Sequence, residues 1–381
     1  MALRKVALLR SLPALPPTSQ RSSGGPSRRR NFSPLPWENY FDSSQEFTTS
    51  GNSSSNNVFR VYFRGQSGPV VFCLHGGGHS ALSWALMAVS LTRLIDCRVV
   101  AMDIRGHGST QTEKEDELQA TTLVNDVLEV VSTVFPQESM PPLVLVGHSM
   151  GGAIAVRVAA RDVLPSLSGL VVLDVVEGSA LESLSTMQSF LRGRPQRFNS
   201  LEKAVEWSMK SGQVRNLESA RVAMAGQLTR RWSSGETSSQ TETVVAPAVQ
   251  PLAVVQEEGE DCAAGLQEVA DDKAGSGVEY VWRIDLAKTE PFWQGWFTGL
   301  SKLFLSTTVP KVLLLAGVDR LDKELSIGHM QGKFQLQVLS GCGHLIQEDV
   351  PDKVAETLAS FLKRYQLAVA SNDFERPPPA C

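Results

Sequence analysis

Gly147-His148-Ser149-Met150-Gly151 follows the Val/Leu-rich run Leu143 to Val146 and leads into an Ala/Val-rich stretch over 152–161. A serine flanked by small residues at a strand-to-helix turn is pushed out over the sheet, and the helix start sets backbone N–H groups beside it. Alone, such a pentapeptide can be an ordinary tight turn; between a buried strand and a helix it reads as a nucleophile. Serine is weak at neutral pH and needs a base. His344 sits in Ser340-Gly341-Cys342-Gly343-His344, just past the run Phe334 to Leu339, where small neighbours leave its ring room to reach Ser149. A solvated loop histidine is the plainer alternative.

A third group must hold the imidazole in one tautomer and stabilise its charged form. Asp174 ends the run Gly169 to Asp174, and Asp319 follows Val312 to Gly317. Position favours Asp319, although either aspartate could merely cap a turn. Negative charge on a reacting carbonyl needs two backbone donors, and Met150 with Gly77 of the glycine run Gly76 to Gly78 are the candidates. His75 and His79 flank that run and are expected to shape it, with His75 also a candidate substrate contact. The turn Asp103-Ile104-Arg105-Gly106-His107-Gly108-Ser109 is given no chemistry.

The elements that must position these residues alternate. Val58 to Tyr62, Val70 to Leu74, Arg98 to Asp103, Leu143 to Gly147, Gly169 to Asp174, Val312 to Gly317 and Phe334 to Leu339 are strand-length apolar runs, of the kind buried on both faces in a parallel sheet. Thr122 to Phe135 and Val350 to Tyr365 carry helical apolar spacing between and after them. The expected architecture is α/β, an α/β-hydrolase fold with a mostly parallel doubly wound sheet. Well over a hundred residues separate Asp174 from Val312, too many for one crossover. A helical cap is expected over 179–232 and 280–305. Residues 233–279 are Ser/Thr/Gly-rich and then acidic, too polar to order themselves. The core is then 37–178 and 306–366, with a flexible tail over 367–381. The cap's Trp282, Trp293 and Trp296 are either a substrate cleft or cap core.

Composition narrows the chemistry. A net charge of −4 over 381 residues supplies no global basic field, so nucleic-acid binding is not expected. Five scattered cysteines without a CxxC pair argue against a disulfide framework or zinc site. No metal, no cofactor and no membrane span is expected, since no apolar run nears the roughly 18 to 20 residues required. The first 36 residues are basic and free of acids; a transit peptide and a disordered basic tail with a nuclear signal at Arg28 to Arg30 both fit, and the tail is preferred. We expect a monomer in the cytoplasm and nucleus.

Several segments resemble the protein phosphatase methylesterase family between about Asn31 and Tyr365: FSPLPWENYF at 32–41, HGGGHSALSW at 75–84, GHSMGGAIAV at 147–156 and DVVEG at 174–178. RGRPQRF at 192–198, SGQVRNLESARV at 211–222, WRIDLAKTE at 282–290 and LLLAGVDRLDKEL at 313–325 continue the likeness. The glycine-serine motif is superfamily-wide; the cap segments make the resemblance specific. It implies that the triad acid is the aspartate of DVVEG, Asp174, which overrides the positional preference. It further implies the substrate, the methyl ester on the C-terminal leucine of the protein phosphatase 2A catalytic subunit, and that subunit with its holoenzymes as partner. The acidic loop matches the family in place and charge but hardly in sequence, and RGHG at 105–108 stands where a member of the family has RSHG. Two rival readings keep the same triad: a small-molecule carboxylesterase or lipase, and a phosphatase-binding inhibitor with incidental turnover.

Overall fold

The computed structural model describes residues 30–50, 56–136, 140–232, 242–243 and 278–369. Met1–Asn31 separates as its own unit, and the fold belongs to the unit Phe32–Cys381. Of the basic tail expected over 1–36, the acidic loop expected over 233–279 and the C-terminal tail expected over 367–381, residues 1–29, 233–241, 244–277 and 370–381 lie outside the described residues.

The apolar runs become β3 (Val70–Leu74), β4 (Arg98–Met102), β5 (Leu143–His148), β6 (Leu167–Leu173), β11 (Lys311–Leu315) and β12 (Gln335–Val338). Ahead of them stand β1 (Ser43–Ser50) and β2 (Asn56–Arg64), and the eight strands order as β1-β2-β4-β3-β5-β6-β11-β12. β1 and β2 pair antiparallel, as do β2 and β4; all other neighbours are parallel. β1, which reads SSQEFTTS, carries too little apolar signal to be found from sequence, and its register comes from pairing with β2. The central strands need continuous apolar sequence because helices cover both faces: every residue of β3 and β5 is buried.

The covering helices are α1 (Ala85–Leu94), α2 (Ala120–Val134), α3 (Met150–Ala159) and α11 (Pro351–Arg364). In α11, Val354, Ala355, Leu358, Ala359, Phe361 and Leu362 are buried at helical spacing, while Asp352, Lys353 and Lys363 stay outside the core. From β3 the chain steps to β4 on one side and then returns to β5 on the other. The crevice at this reversal, above the carboxyl ends of β3 and β5, is where open α/β sheets bind ligands. Both motifs of interest, 76–78 and 147–151, leave the sheet there.

The insertion contains α4 (Glu177–Arg192), α5 (Leu201–Lys210), α6 (Leu217–Ala223), α7 (Glu290–Phe297) and α8 (Leu300–Ser306), while α9 (Lys323–Met330) and α10 (Ile346–Asp349) follow within the core. Beside its helices, the cap expected over 179–232 and 280–305 holds a small antiparallel sheet ordered β7 (Arg197–Phe198), β10 (Val278–Trp282), β8 (Leu228–Trp232), β9 (Glu242–Thr243). These strands are two to five residues long and join segments far apart in sequence, so periodicity could not reveal them.

Candidate active site

Ser149 sits between β5 and α3 with φ 51° and ψ −120°, a conformation that a residue with a side chain adopts only under constraint. The constraint is visible on either side. A Cβ on Gly147 would lie 2.3 Å from the Gly151 carbonyl oxygen, and one on Gly151 would lie 2.4 Å from the carbonyl oxygens of Leu74 and His75. Only glycine permits that approach, so the turn closes and Ser149 opens into a cavity of about 620 Å³. Gly76, Gly77, Gly78, Met150, Asp174 and His344 line the same cavity. Neither the Gly77 N–H nor the Met150 N–H donates to another described residue. Gly77 is not required for space, because a Cβ there would meet nothing closer than 3.6 Å.

His344 follows β12 and presents a half-exposed ring. Its Nδ1 lies 2.7 Å from Asp174 Oδ2. A carboxylate only accepts, so Nδ1 carries the proton and Nε2 is left as the basic nitrogen. Asp174 directly follows β6 with φ 49°; its Oδ1 accepts from the Ala316 N–H at 3.0 Å, which fixes the carboxylate plane. Arg320 also donates to Oδ2, so one oxygen serves two cations when the imidazole is charged. No hydrogen bond joins Ser149 Oγ to His344 in this arrangement. Such contacts are often long without substrate and tighten on binding.

His148 contributes through its backbone neighbour. Its Nε2 donates to the His344 carbonyl oxygen at 2.8 Å and thereby anchors the loop that bears the base. Nδ1 is then bare, buried and without a partner, and burial pushes the ring's pKa well below the ordinary histidine value.

Two further imidazoles hold the glycine run. His107 donates from Nδ1 to the Arg105 carbonyl at 2.8 Å and accepts the Gly78 N–H at Nε2 at 2.9 Å. His75 donates to the Gly76 carbonyl at 2.8 Å and accepts the Ile104 N–H at 3.0 Å. His75 is therefore not a substrate contact: it is fully buried, both nitrogens are used, and it does not line the cavity. Asp103 accepts from Ala81 and Ser109 N–H groups at 2.7 and 2.9 Å. The turn at 103–109, given no chemistry from sequence, thus braces the glycine loop that offers the Gly77 N–H.

A profile of the alpha/beta hydrolase family matches residues 70–357. Protein phosphatase methylesterase 1 of Mus musculus is 49% identical, aligned over 98% of this chain and 97% of its own length. The human protein of that name is also 49% identical, over 98% and 97%. A Caenorhabditis elegans protein named probable protein phosphatase methylesterase 1 is 41% identical over 93% and 83%. The chain belongs to the protein phosphatase methylesterase family of α/β hydrolases. It is accordingly a carboxylic ester hydrolase by class. Solved structures agree on the fold: E-2-(acetamidomethylene)succinate hydrolase superposes with TM-score 0.60 at 16% identity over 84% of this chain and all of that one. A Mycobacterium tuberculosis esterase gives 0.55 at 20% identity over 84% and 92%.

The segments that mark this methylesterase family build the roof of the cavity. In WRIDLAKTE, Arg283 forms a two-point ion pair with Glu115 at 2.7 and 2.8 Å and also donates to the carbonyls of Gly108 and Thr110, tying cap to core. Leu286 follows and covers the glycine run, within 2.7 Å of where a Gly78 Cβ would be. At the C-terminus of α7, Arg157 takes up the carbonyls of Gly295, Trp296 and Thr298, which a helix end otherwise leaves unpaired. Glu177 accepts from the N–H groups of Gly299 and Ser301 at the start of α8, where a carboxylate suits the helix dipole.

The three tryptophans divide. Trp293 and Trp296 line the cavity but are nearly buried, with indole N–H groups bonded to Thr289 and to the Leu118 carbonyl, so they serve as wall and core at once. Trp282 does not line the cavity; it packs edge-on against Phe198 and Trp207, which corrects its expected place as a substrate contact. The residues that sequence reasoning missed are Arg320, His107, His148, Leu286 and Arg194. All five lie in segments quoted above, but what they touch is revealed only by the folded juxtaposition. Among the described residues no group of three potential metal ligands gathers, and no helix is long and apolar enough to cross a membrane.

Burial gives the site a predictable pH response. His107 is pushed down to about 4, and His75 and His148 fall well below the ordinary value, all chiefly through desolvation. The unfolded chain binds protons at these rings near pH 6.5, whereas the folded chain does not until lower pH. Each ring therefore subtracts stability as pH falls from about 6.5 to 4. Asp103, pushed up to about 6 by burial, acts oppositely: its folded form keeps a proton that the unfolded form releases above about 3.9. Burial raises Asp126 and Asp349 in the same direction as Asp103, so the contribution of each ring is read by substituting it. His107→Gln should remove a loss of about 3 kcal/mol, read from urea midpoints at pH 6.5 and 4. An unchanged slope would show that the ring is protonated in the folded state.

Proposed function

We propose that this chain hydrolyses the methyl ester on the C-terminal leucine of the protein phosphatase 2A catalytic subunit, with Ser149, His344 and Asp174 as its triad. Ser149 Oγ attacks the ester carbonyl while His344 Nε2 takes its proton, and Asp174 holds the ring and offsets the imidazolium charge. The carbonyl oxygen, now negative, accepts from the Met150 and Gly77 N–H groups. Collapse breaks the bond to the methoxy oxygen, which His344 protonates, and methanol leaves. Water then gives its proton to His344 and attacks the acyl-serine; the proton returns to Ser149 Oγ as the free carboxylate departs.

The observation that carries this reading is the His344 Nδ1 to Asp174 Oδ2 bond, which orients the free nitrogen of a ring facing the same cavity as Ser149. The substrate is supported by the shared name of relatives aligned over nearly the whole chain. Met187, Phe190, Leu191, Trp293, Trp296 and Phe297 give the cavity an apolar wall suited to a terminal leucine. Binding energy from the rest of the tail should then be used at the ester. A methylated phosphatase-tail peptide should accordingly surpass leucine methyl ester in kcat/KM by at least on the order of tenfold. Equal values would favour the small-ester reading instead.

A further inference from the structure

Among the described residues, Arg194 is a cation without a counter-ion. Its guanidinium carbon lies 3.5 Å from the ring centroid of Trp282. That ring is itself fixed, with its indole N–H bonded to the Pro195 carbonyl at 2.7 Å and its edges against Phe198 and Trp207, each at 5.6 Å. Among the described residues the guanidinium makes no hydrogen bond and no ion pair, and its Nε is buried with no partner. Burial lowers its pKa only to about 10, so it remains charged at neutral pH. Arg194 lines the cavity that holds Ser149 and His344.

Among the described residues, nothing in that cavity answers the charge. Asp174 is the one carboxylate on its lining, and His344 and Arg320 occupy it. A desolvated guanidinium left unpaired is costly, and a site keeps one when a ligand supplies the acceptor. Neither a methyl ester nor methanol carries charge, so before hydrolysis the acceptor must be another part of the substrate. Stacking on the indole uses the guanidinium's face and leaves its in-plane N–H groups, a fork that fits a carboxylate at two points.

We propose that Arg194 is a specificity residue that binds an acidic side chain in the substrate tail, upstream of the methylated terminus. This rests on the reading of the substrate as a protein tail. It places selectivity on the cap, at the turn leaving α4, and the bond-breaking groups on the sheet.

The test uses peptide methyl esters in which upstream positions are changed in turn from asparagine to aspartate, assayed with the wild-type chain, Arg194→Lys and Arg194→Gln. The wild-type chain should prefer one aspartate peptide on the order of tenfold or more in kcat/KM, mainly through KM. Arg194→Lys should keep part of that preference, since it retains the charge but not the fork. Arg194→Gln should bring the ratio close to one. The ratio is taken within one preparation, so a reduced folded fraction cancels. If Arg194→Gln cannot be prepared folded, the wild-type ratio and Arg194→Lys still decide. Equal turnover of both peptides at every position by the wild-type chain, or a preference undiminished in Arg194→Gln, would overturn the proposal. Failure of the wild-type chain to hydrolyse any peptide methyl ester would instead refute the protein-tail reading.

Discussion

Replacing Ser149 by alanine is expected to lower kcat for ester hydrolysis by about 10⁶-fold. The size of the loss follows from the way the triad acts as a unit. Without Oγ, the proton-accepting nitrogen of His344 has nothing to activate, and the oxyanion donors act only on direct attack by water. The strained φ of 51° at position 149 is enforced by the glycines around it and does not depend on the hydroxyl. The alanine variant should therefore fold and still take up a methylated tail. Single-turnover assays with that peptide, alongside a binding isotherm, separate the two effects. Binding lost together with turnover would mean that residue 149 shapes the pocket instead of supplying the nucleophile.

The second large effect concerns the acid. Asp174→Asn should reduce kcat by about 10⁴-fold, with the fold intact. Asparagine keeps the size of the side chain, and its oxygen can still accept the Ala316 N–H. It supplies no negative charge opposite a protonated His344, and its amide can turn an N–H toward Nδ1 and favour the wrong tautomer. Asp319→Asn is the matched control and should leave turnover near that of the wild-type chain. The reverse ranking in a steady-state assay would return the role to Asp319.

That competition shows where sequence stops being sufficient. The nucleophile was legible because its requirements are local: a buried strand, two glycines and a helix start lie within about twenty consecutive residues. The acid is a tertiary fact. β6 and β11 are parallel neighbours, with Leu173 beside Leu314, so the loops after them leave the sheet side by side. Residue order cannot say which of two adjacent strand ends faces a ring arriving from β12. The family resemblance chose Asp174, and the His344 contact gives that choice a geometry.

The supporting groups were hidden for a related reason. His107 resides in a turn whose shape was legible, yet its bond to the Gly78 N–H joins residues 29 apart. Arg194 lies in an Arg-rich segment, and only the fold assembles its platform from Phe198, Trp207 and Trp282, which come from three separate stretches. The tryptophans of the cap were legible as a cluster, but aromatic content alone cannot separate a wall from a platform, and Trp282 proved to be the latter.

The most direct test of the central claim is mass spectrometry of a methylated phosphatase 2A tail incubated with the wild-type chain and with Ser149→Ala. The wild-type chain is expected to remove one methylene's mass from the terminal leucine, and the variant to leave the tail methylated over the same period. Demethylation by the variant at the wild-type rate would contradict the assignment of Ser149 as nucleophile.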